Sequence, residues 1–313
     1  MKVLVTGAAG FIGSHITREL SQSGYEVLAI DALIETTYSA EIKKRRWSQM
    51  QSLRNVQFSN LDLSQIDISN LLQGVDVLIN LAAMPGLQKS WEEFPKYLSS
   101  NVQLTQNILQ GICKNPQIKL IQISTSSVYG LYAKCDEFGE IKPVSPYGVT
   151  KFAAEELIRA YAANFDFQFC ILRYFSVYGP GQRPEMAYAK FIQRISDGLP
   201  IDVYGDGQQI RTNTFITDCV HGTLNAIERF KNGETYNISG DFEVSLLEAI
   251  SIIENHLGSR AVINFQPKVY GDQLETNGDH SKATLEFDYV PKIKPFEGLE
   301  LQVKAFKNGQ FFN

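Results

Sequence analysis

The first half of the chain alternates short apolar runs with longer amphipathic stretches. Six nearly continuous apolar runs predict strands at residues 2–6, 26–30, 56–59, 75–80, 119–124 and 169–174. Strands that are apolar along their whole length are typical of a parallel sheet with both faces covered. Helical periodicity falls between them, at residues 13–22, 101–112 and 148–162. This order predicts an α/β fold with a Rossmann-like, doubly wound parallel sheet.

The alternation ends after Tyr174. Residues 179–211 contain three prolines and several glycines, and short helical and strand patterns mix from about residue 236 onward. We therefore predict two domains. The sheet domain takes residues 1–175 with a return segment around 212–235, and a smaller α/β C-terminal domain takes residues 176–211 and 236–313.

Composition narrows the classes of partner. The 313 residues are 44% hydrophobic and 20% charged, with a formal net charge of −5. An acidic total disfavours a nucleic-acid partner, which needs a concentrated basic surface. No apolar run approaches the ~18 residues of a membrane span, and no secretory signal opens the chain, so we expect no membrane partner and a cytoplasmic location. We expect the four cations at residues 43–46 to form a solvated helix face.

A glycine-rich turn follows the first predicted strand. Gly7 allows a tight turn, Gly10 lets backbone N–H groups approach a pyrophosphate, and Gly13 lets the next helix pack closely. The positive end of that helix then faces the phosphates. The second strand leads to Asp31, 18 residues after Gly13. A carboxylate there accepts hydrogen bonds from ribose hydroxyls and repels a 2′-phosphate, so the pattern predicts NAD as cofactor and residues 1–175 as its domain.

Tyr147 and Lys151 are the candidate proton-transfer pair. Pro146 suits a helix start, so the two side chains lie one turn apart on one face. A free tyrosine has a pKa of about 10, and a nearby ammonium lowers it by ~1–3 units. Tyr147 can then take a proton from a substrate hydroxyl while hydride leaves the same carbon. This spacing is common by chance, but the hydroxyl-rich segment after residue 124 lies at the crevice edge of the same sheet.

Together these residues resemble the extended short-chain dehydrogenase/reductase family, and within it the nucleotide-sugar epimerases. The matching pieces run through almost the whole chain in order. They are the glycine turn at residues 6–13, Asp31, Asp62-Leu63, residues 81–83, Asn101, the hydroxyl-rich segment 124–130, Tyr147 with Lys151, residues 173–180, residues 183–187, residues 203–207 with Arg211, Gly271-Asp272 and residues 279–283.

The resemblance implies a role for each matching position. The catalytic triad is Thr125, Tyr147 and Lys151. Cofactor contacts are implied at Gly7, Gly10, Phe11, Ile12, Gly13, Asp31, Asp62, Leu63, Leu81, Ala82, Ala83, Asn101, Tyr147, Lys151 and Tyr174. Contacts with a UDP-sugar substrate are implied at Ser126, Ser127, Ser176, Arg183, Met186, Ala187, Val203, Tyr204, Arg211 and Asp272. The smaller domain is then the nucleotide-sugar-binding domain, and relatives imply a homodimer.

The family also limits the reaction, which begins with oxidation at C4 to a 4-keto sugar. A 4,6-dehydratase of the family carries Asp-Glu after the catalytic threonine, where this chain has Ser126 and Ser127. A UDP-glucuronate decarboxylase carries Glu at the position of Ser127 and Arg at that of Thr276. The resemblance therefore implies a 4-epimerase.

Which sugar is epimerised rests on finer matches. Residues 183–187 and Ser176 look most like those of UDP-glucuronate 4-epimerases, and Thr125, Ser126, Ser127 and Ser176 could all face one carboxylate. The alternative is a neutral substrate, UDP-glucose or a UDP-N-acetylhexosamine. A non-catalytic NAD-binding protein and a net reductase also stay open, although the intact triad disfavours the first and Asp31 the second.

Overall fold

The structure is a computed structural model that describes residues 1–268 and 273–310. Its strands, in chain order, are β1 Lys2–Thr6, β2 Glu26–Asp31, β3 Val56–Asn60, β4 Val77–Asn80, β5 Lys119–Thr125, β6 Tyr132–Ala133, β7 Phe169–Tyr174, β8 Val177–Tyr178, β9 Ile201–Tyr204, β10 Ile210–Arg211, β11 Thr214–Phe215, β12 Thr235–Ile238, β13 Val244–Ser245, β14 Ile263–Gln266 and β15 Glu275–Thr276.

The helices are α1 Phe11–Gln22, α2 Ala40–Met50, α3 Lys89–Glu92, α4 Phe94–Tyr97, α5 Leu104–Cys113, α6 Pro146–Ala162, α7 Ala187–Ser196, α8 Ile216–Arg229, α9 Leu246–Leu257, α10 Ser281–Phe287 and α11 Pro295–Lys307. A π-helical segment, Leu98–Gln103, leads into α5, and a 3₁₀ turn, Ser126–Tyr129, follows β5. Among the described helices, none is long and apolar enough to cross a membrane.

Seven parallel strands form the central sheet in the order β12-β7-β5-β4-β1-β2-β3. The order reverses between β1 and β4, and ligands of such sheets bind at the strand ends beside this reversal. The prediction of a doubly wound parallel sheet is confirmed, and all six predicted strands belong to it. The seventh strand, β12, starts where the predicted return segment ends and includes residues 236–238, which the prediction gave to the smaller domain. It pairs with β7.

Helices cover both faces of the sheet. On one face, α1 and α8 contribute Ile16, Leu20 and Cys219 to a large apolar core. On the other, α5 and α6 contribute Ile108 and Ile158 to a second core. This double cover explains why the strands are apolar along their whole length.

The remaining described strands form three small sheets outside the central one. They are β13-β10-β15-β6, β11-β8 and β14-β9. The pairing of β15 with β6 brings residues near 275 onto the loop that follows β5, so segments far apart in sequence meet beside the strand ends.

The prediction that residues 43–46 form a solvated helix face is wrong for two of the four cations. Lys44 and Arg45 are exposed, but Lys43 and Arg46 are buried in α2. Arg46 donates to the carbonyl of Gly181, so the loop after β8 covers this side of the helix. Helical periodicity puts residues 43 and 46 on one face, and that face is turned toward the protein.

Candidate active site

The turn between β1 and α1 is built so that the backbone packs without side chains in the way. Gly7 has a φ of +67°, and a Cβ there would lie 2.9 Å from the Ala82 nitrogen. A Cβ on Gly13 would lie 2.2 Å from the Gly7 carbonyl oxygen. Gly10 is the N-cap residue of α1 and carries no side-chain cap. The first helical N–H groups, at Phe11 and Ile12, have no intrahelical acceptor and suit a pyrophosphate.

Asp31 ends β2 beside this turn. It is buried, and its carboxylate accepts hydrogen bonds from the backbone N–H groups of Ala9, at 3.0 Å, and Leu33, at 2.8 Å. The Lys43 ammonium lies 3.9 Å from the Asp31 oxygen Oδ1, which also accepts from Leu33. Burial lowers the pKa of Lys43, while Asp31 opposes that shift. The glycine turn and this carboxylate together fit the pyrophosphate and ribose of NAD.

The other predicted cofactor positions follow neighbouring strand ends. Asp62 and Leu63 follow β3, where Asp62 is exposed and accepts from the backbone and hydroxyl of Ser64. Leu81, Ala82 and Ala83 follow β4, and Ala82 donates its N–H to the Thr6 hydroxyl. All of these residues therefore line the same edge of the sheet as the glycine turn.

Asn101 and Tyr174 are engaged by other parts of the protein. The Asn101 side chain bridges the backbone of Met84 and the hydroxyl of Thr150, which ties the loop after β4 to α6. The Tyr174 hydroxyl lies 2.6 Å from that of Thr223 of α8, in the core. Their side chains thus hold the walls of the crevice together.

Helix α6 brings the candidate proton-transfer groups to the end of β5. Ser145 caps the helix by accepting from the Gly148 N–H at 3.1 Å. Tyr147, in the first turn, contacts Tyr97 edge to face. The Thr125 side chain at the end of β5 lies close enough to act on the pKa of the Tyr147 hydroxyl. Burial raises the pKa of Tyr147, whereas the charge of Arg183 and the Thr125 side chain act to lower it. Arg183, rather than Lys151 as predicted, is thus the charged residue that favours the phenolate, and the pKa of Tyr147 stays above its ordinary value.

Lys151 lies one turn further along α6 and is buried. Its ammonium donates to the Ile123 carbonyl at 2.6 Å, which fixes the side chain against β5. Burial lowers the pKa of Lys151 to about 8, and the carboxylate of Glu155 opposes that shift. The ammonium and neutral forms of Lys151 therefore interchange close to physiological pH.

Glu155 and Arg173 form a fully enclosed ion pair behind Lys151. The guanidinium donates twice to the carboxylate, at 2.6 and 3.1 Å, and Ser124 donates to the same carboxylate. Arg173 also donates to the Tyr129 hydroxyl at 2.9 Å, and that hydroxyl donates to Asn237 at 2.7 Å. The network links α6 to β5, β7 and β12.

Two of the three predicted sugar-binding serines lie beside Thr125. Ser126 and Ser127 open the 3₁₀ turn, and the Thr125 hydroxyl lies 3.2 Å from that of Ser127. Ser176 follows β7, and it is the one exposed residue between residues 169 and 179. Ser176 is therefore exposed within an otherwise buried segment, as expected of a residue that lines an open cleft.

The predicted nucleoside and diphosphate positions are more spread out. Arg183 pairs with Glu185 at 2.9 Å, Met186 and Ala187 begin α7, and Arg211 lies in β10. In β9, Tyr204 is partly exposed, but the Val203 side chain is fully buried in the core. Asp272 lies outside the described residues.

The sequence patterns give no role to Glu155 or Gln273 and only part of the role of Arg183. Glu155 stands at the same four-residue spacing as Tyr147 and Lys151, which was a usable signal. Arg183 was assigned to the substrate but also acts on the pKa of Tyr147. Gln273 reaches the turn after β5 from 147 residues away, for which no local pattern gives a signal.

Comparison with known proteins agrees with this architecture. Residues 3–239 match the model of the NAD dependent epimerase/dehydratase family, so the chain belongs to that family. A crystal structure of UDP-glucuronic acid 4-epimerase from Bacillus cereus, in complex with UDP-glucuronic acid and NAD, is 40% identical. It superimposes with a TM-score of 0.94, over 98% of this chain and 99% of that one.

Two curated relatives extend the comparison. The uncharacterized UDP-glucose epimerase YtcB of Bacillus subtilis is 39% identical, over 97% of both chains. The UDP-glucuronate 4-epimerase of Thermodesulfobacterium geofontis is 32% identical, over 97% of this chain and 95% of that protein. The expected resemblance to nucleotide-sugar epimerases is confirmed.

Proposed function

We propose that this chain is an NAD-dependent 4-epimerase that interconverts UDP-glucuronate and UDP-galacturonate. The observation that carries the proposal is the turn after β5, where Thr125 contacts Tyr147 and the next two side chains, Ser126 and Ser127, are hydroxyls. Neither can serve as the acid that an elimination requires. The relatives named UDP-glucuronate 4-epimerase support the same function.

The proton steps fall to Tyr147 and Thr125. When bound, NAD accepts a hydride from C4 of the sugar and returns it to the opposite face. Tyr147 takes the proton of the C4 hydroxyl as that hydroxyl becomes a carbonyl, and Thr125 holds the reacting oxygen. After the keto sugar has turned, Tyr147 gives the proton back. Tyr147 is thus both base and acid within one turnover. The hydride and the proton that leave the sugar are both returned to it, so no net oxidation occurs.

Arg183 and Lys151 set the electrostatics of that proton transfer. Arg183 favours the Tyr147 phenolate through space. Lys151 lies one turn further along α6, and we assign its ammonium form to the active site as a second positive charge. Because burial holds the pKa of Lys151 near 8, the positive charge is lost as pH rises through that value. We infer an activity that falls on the alkaline side for this reason.

The hydroxyls around the site suit a uronate. A 4-keto uronate is a β-keto acid and loses CO₂ readily when its carboxyl is protonated or free to turn. Neutral donors at Ser127 and Ser176 can hold a carboxylate in its charged form without supplying a strong acid. The exposed position of Ser176 beside the end of β7 supports this arrangement.

UDP-glucose is the second candidate substrate, favoured by the name of the Bacillus subtilis relative, an uncharacterized UDP-glucose epimerase. The two candidates separate in one experiment. The NAD-loaded protein is incubated with UDP-glucuronate, UDP-glucose and UDP-N-acetylglucosamine, and the sugars are resolved by chromatography. We expect UDP-galacturonate to form at the highest kcat/KM. Faster epimerisation of UDP-glucose would replace the proposed substrate.

We also propose the division of labour between the two parts of the chain. Residues 1–175, with the return segment around 212–235 and the adjoining β12, would hold NAD, and residues 176–211 and the rest beyond β12 would hold the nucleotide sugar. The position of β12 in the central sheet supports extending the return segment to Ile238.

We propose a homodimer as well. Trp91, Phe94, Leu98 and Val149 are 58%, 40%, 47% and 47% exposed, and they lie on α3, α4, the π-helical segment and α6, which pack together. An apolar patch on adjacent helices of this kind fits a second copy of the same surface.

A further inference from the structure

Gln273 is buried and spans the 3₁₀ turn that carries Ser126 and Ser127. Its side-chain nitrogen donates to the carbonyl oxygens of Ser126, at 3.1 Å, and Gly130, at 3.0 Å. Two carbonyl oxygens can only accept, so they fix which end of the amide is nitrogen. The amide oxygen then lies 3.1 Å from the Ser126 hydroxyl.

This arrangement decides the polarity of Ser126. An amide oxygen can only accept, so the single hydroxyl proton of Ser126 is donated to Gln273. The Ser126 oxygen then has only its lone pairs available, so it can accept a hydrogen bond from a ligand but cannot donate one. A carboxylate also only accepts, so Ser126 in this state cannot hold one, although a sugar hydroxyl could donate to it. Turning the hydroxyl away would leave a buried amide oxygen without its donor, which is unfavourable.

Ser127 is in the opposite state. The Thr125 hydroxyl donates to the Ser127 oxygen at 3.2 Å, and the Ser127 N–H returns a bond of the same length to Thr125. Thr125 thus supplies the proton between the two oxygens, and the Ser127 hydroxyl proton is left for another acceptor. It stays so when Thr125 turns its own proton to the reacting oxygen, because the bond from the Ser127 N–H is independent of that proton. Two adjacent serines therefore present opposite hydrogen-bonding characters.

Gln273 is itself held from the other side. Its backbone carbonyl accepts from the Arg211 side chain of β10, and the next residue, Leu274, donates its N–H to the Leu131 carbonyl at 2.8 Å. The backbone that carries the Gln273 side chain is therefore anchored beside the small sheet that contains β15 and β6. Its position against the turn does not depend on the Ser126 contact alone.

We propose that Gln273 is a specificity-determining positioning residue, which takes the Ser126 hydroxyl proton and leaves recognition of the substrate carboxylate to Ser127 and Ser176. The inference rests on the proposed function, because it concerns how a uronate is told from a neutral hexose. It removes Ser126 from the set of hydroxyls that sequence reasoning directed at the carboxylate.

The test compares dissociation constants of UDP-glucuronate and UDP-glucose, by isothermal titration calorimetry of the NAD-loaded protein. Ser126→Ala should change both constants by the same factor. Ser127→Ala should weaken UDP-glucuronate alone by about tenfold, the size of a lost hydrogen bond to a charged group. A purely structural role of either serine would move both ligands together, so the ratio of the two constants is the informative readout.

Gln273→Met tests the inference in the opposite direction, by releasing the Ser126 hydroxyl. Methionine keeps the length of the side chain but lacks the amide oxygen that accepts the Ser126 proton. The freed hydroxyl should raise the preference for UDP-glucuronate over UDP-glucose by about three- to tenfold. Adding Ser126→Ala in that background should remove the gain. If Gln273→Met does not fold, by its thermal melting curve, the two serine variants alone decide.

A selective loss of UDP-glucuronate binding in Ser126→Ala would overturn the inference. So would a folded Gln273→Met protein with an unchanged preference. Failure of the proposed function looks different: the unsubstituted protein would then bind neither sugar nucleotide, or UDP-glucose alone, before any variant is made.

Discussion

Glu155 lies one helical turn beyond Lys151 on α6, and its buried carboxylate counteracts the burial that lowers the lysine pKa to about 8. Arg173 holds that carboxylate with two hydrogen bonds. The ion pair therefore has an electrostatic consequence at Lys151, four residues before it in the helix.

Glu155→Gln should shift the pH profile of epimerisation. Removing the negative charge lowers the Lys151 pKa further, so the ammonium is lost at lower pH and the alkaline limb of kcat/KM moves downward in pH. The variant should also lose about 3–5 kcal/mol of unfolding free energy, because Arg173 is left buried without its counter-ion. The pH–rate profile and chemical denaturation measure the two effects.

The matched control is Glu156→Gln. Glu156 is the next residue of the same helix, is exposed and pairs only with Arg159 at the surface, among the contacts described. It should leave the pH profile in place and cost at most about 1 kcal/mol. An identical alkaline shift in both variants would show that Glu155 does not act on Lys151.

Tyr147→Phe should lower kcat by about 10²–10⁴-fold, the usual contribution of a positioned acid or base. NAD should stay bound, because the glycine turn and Asp31 are untouched. Tyr161→Phe, on the same helix, is the control and should turn over normally. Stopped-flow rates and NAD content after gel filtration give both readouts. Near-normal turnover of the Tyr147 variant would mean that another group moves the proton.

Gly13→Ala should impair both folding and NAD binding. A Cβ there would lie 2.2 Å from the Gly7 carbonyl oxygen, so the turn must open, at a cost of about 1–3 kcal/mol. Gly24→Ala separates the two effects. Its φ of +84° makes alanine costly by about 1–2 kcal/mol, but the new Cβ meets nothing within 4 Å, and NAD affinity should not change. Thermal melting and NAD titration are the measurements, and equal NAD affinity in both variants would contradict the assignment of the turn.

Leu98→Glu should convert a dimer to a monomer, because it places a charge in the apolar patch formed with Trp91, Phe94 and Val149. Leu285→Glu is the control, since Leu285 is 85% exposed on α10. Sedimentation velocity reports the oligomeric state. A Leu98→Glu protein that sediments like the unsubstituted chain would exclude this patch as the interface.

Local patterns predicted the parts of the molecule that local sequence determines. Continuous apolar runs located six of the seven central strands, and strand-end residues such as Asp31 and Thr125 fell at the crevice as expected. The seventh strand, β12, was missed because its buried face includes Asn237, whose side chain pairs with Tyr129 rather than packing as an apolar residue.

The rest depended on contacts between distant segments. The burial of Arg46 follows from the loop carrying Gly181, and the state of Ser126 follows from Gln273. Tyr174 matches a cofactor position in sequence, and its hydroxyl meets that of Thr223 of α8, 49 residues further along the chain. A single sequence carries no signal for such pairings, so residue type alone could not distinguish a ligand contact from a structural one.

The most direct test of the account is to follow the hydrogen on C4. UDP-glucuronate carrying deuterium at C4 is converted by the NAD-loaded protein in ordinary water, and the product is analysed by NMR and mass spectrometry, with CO₂ monitored. The proposed roles of Tyr147 and Thr125 predict UDP-galacturonate that keeps the deuterium at C4, with no CO₂ released. Loss of the deuterium to solvent, or release of CO₂ in step with substrate consumption, would contradict the epimerase mechanism.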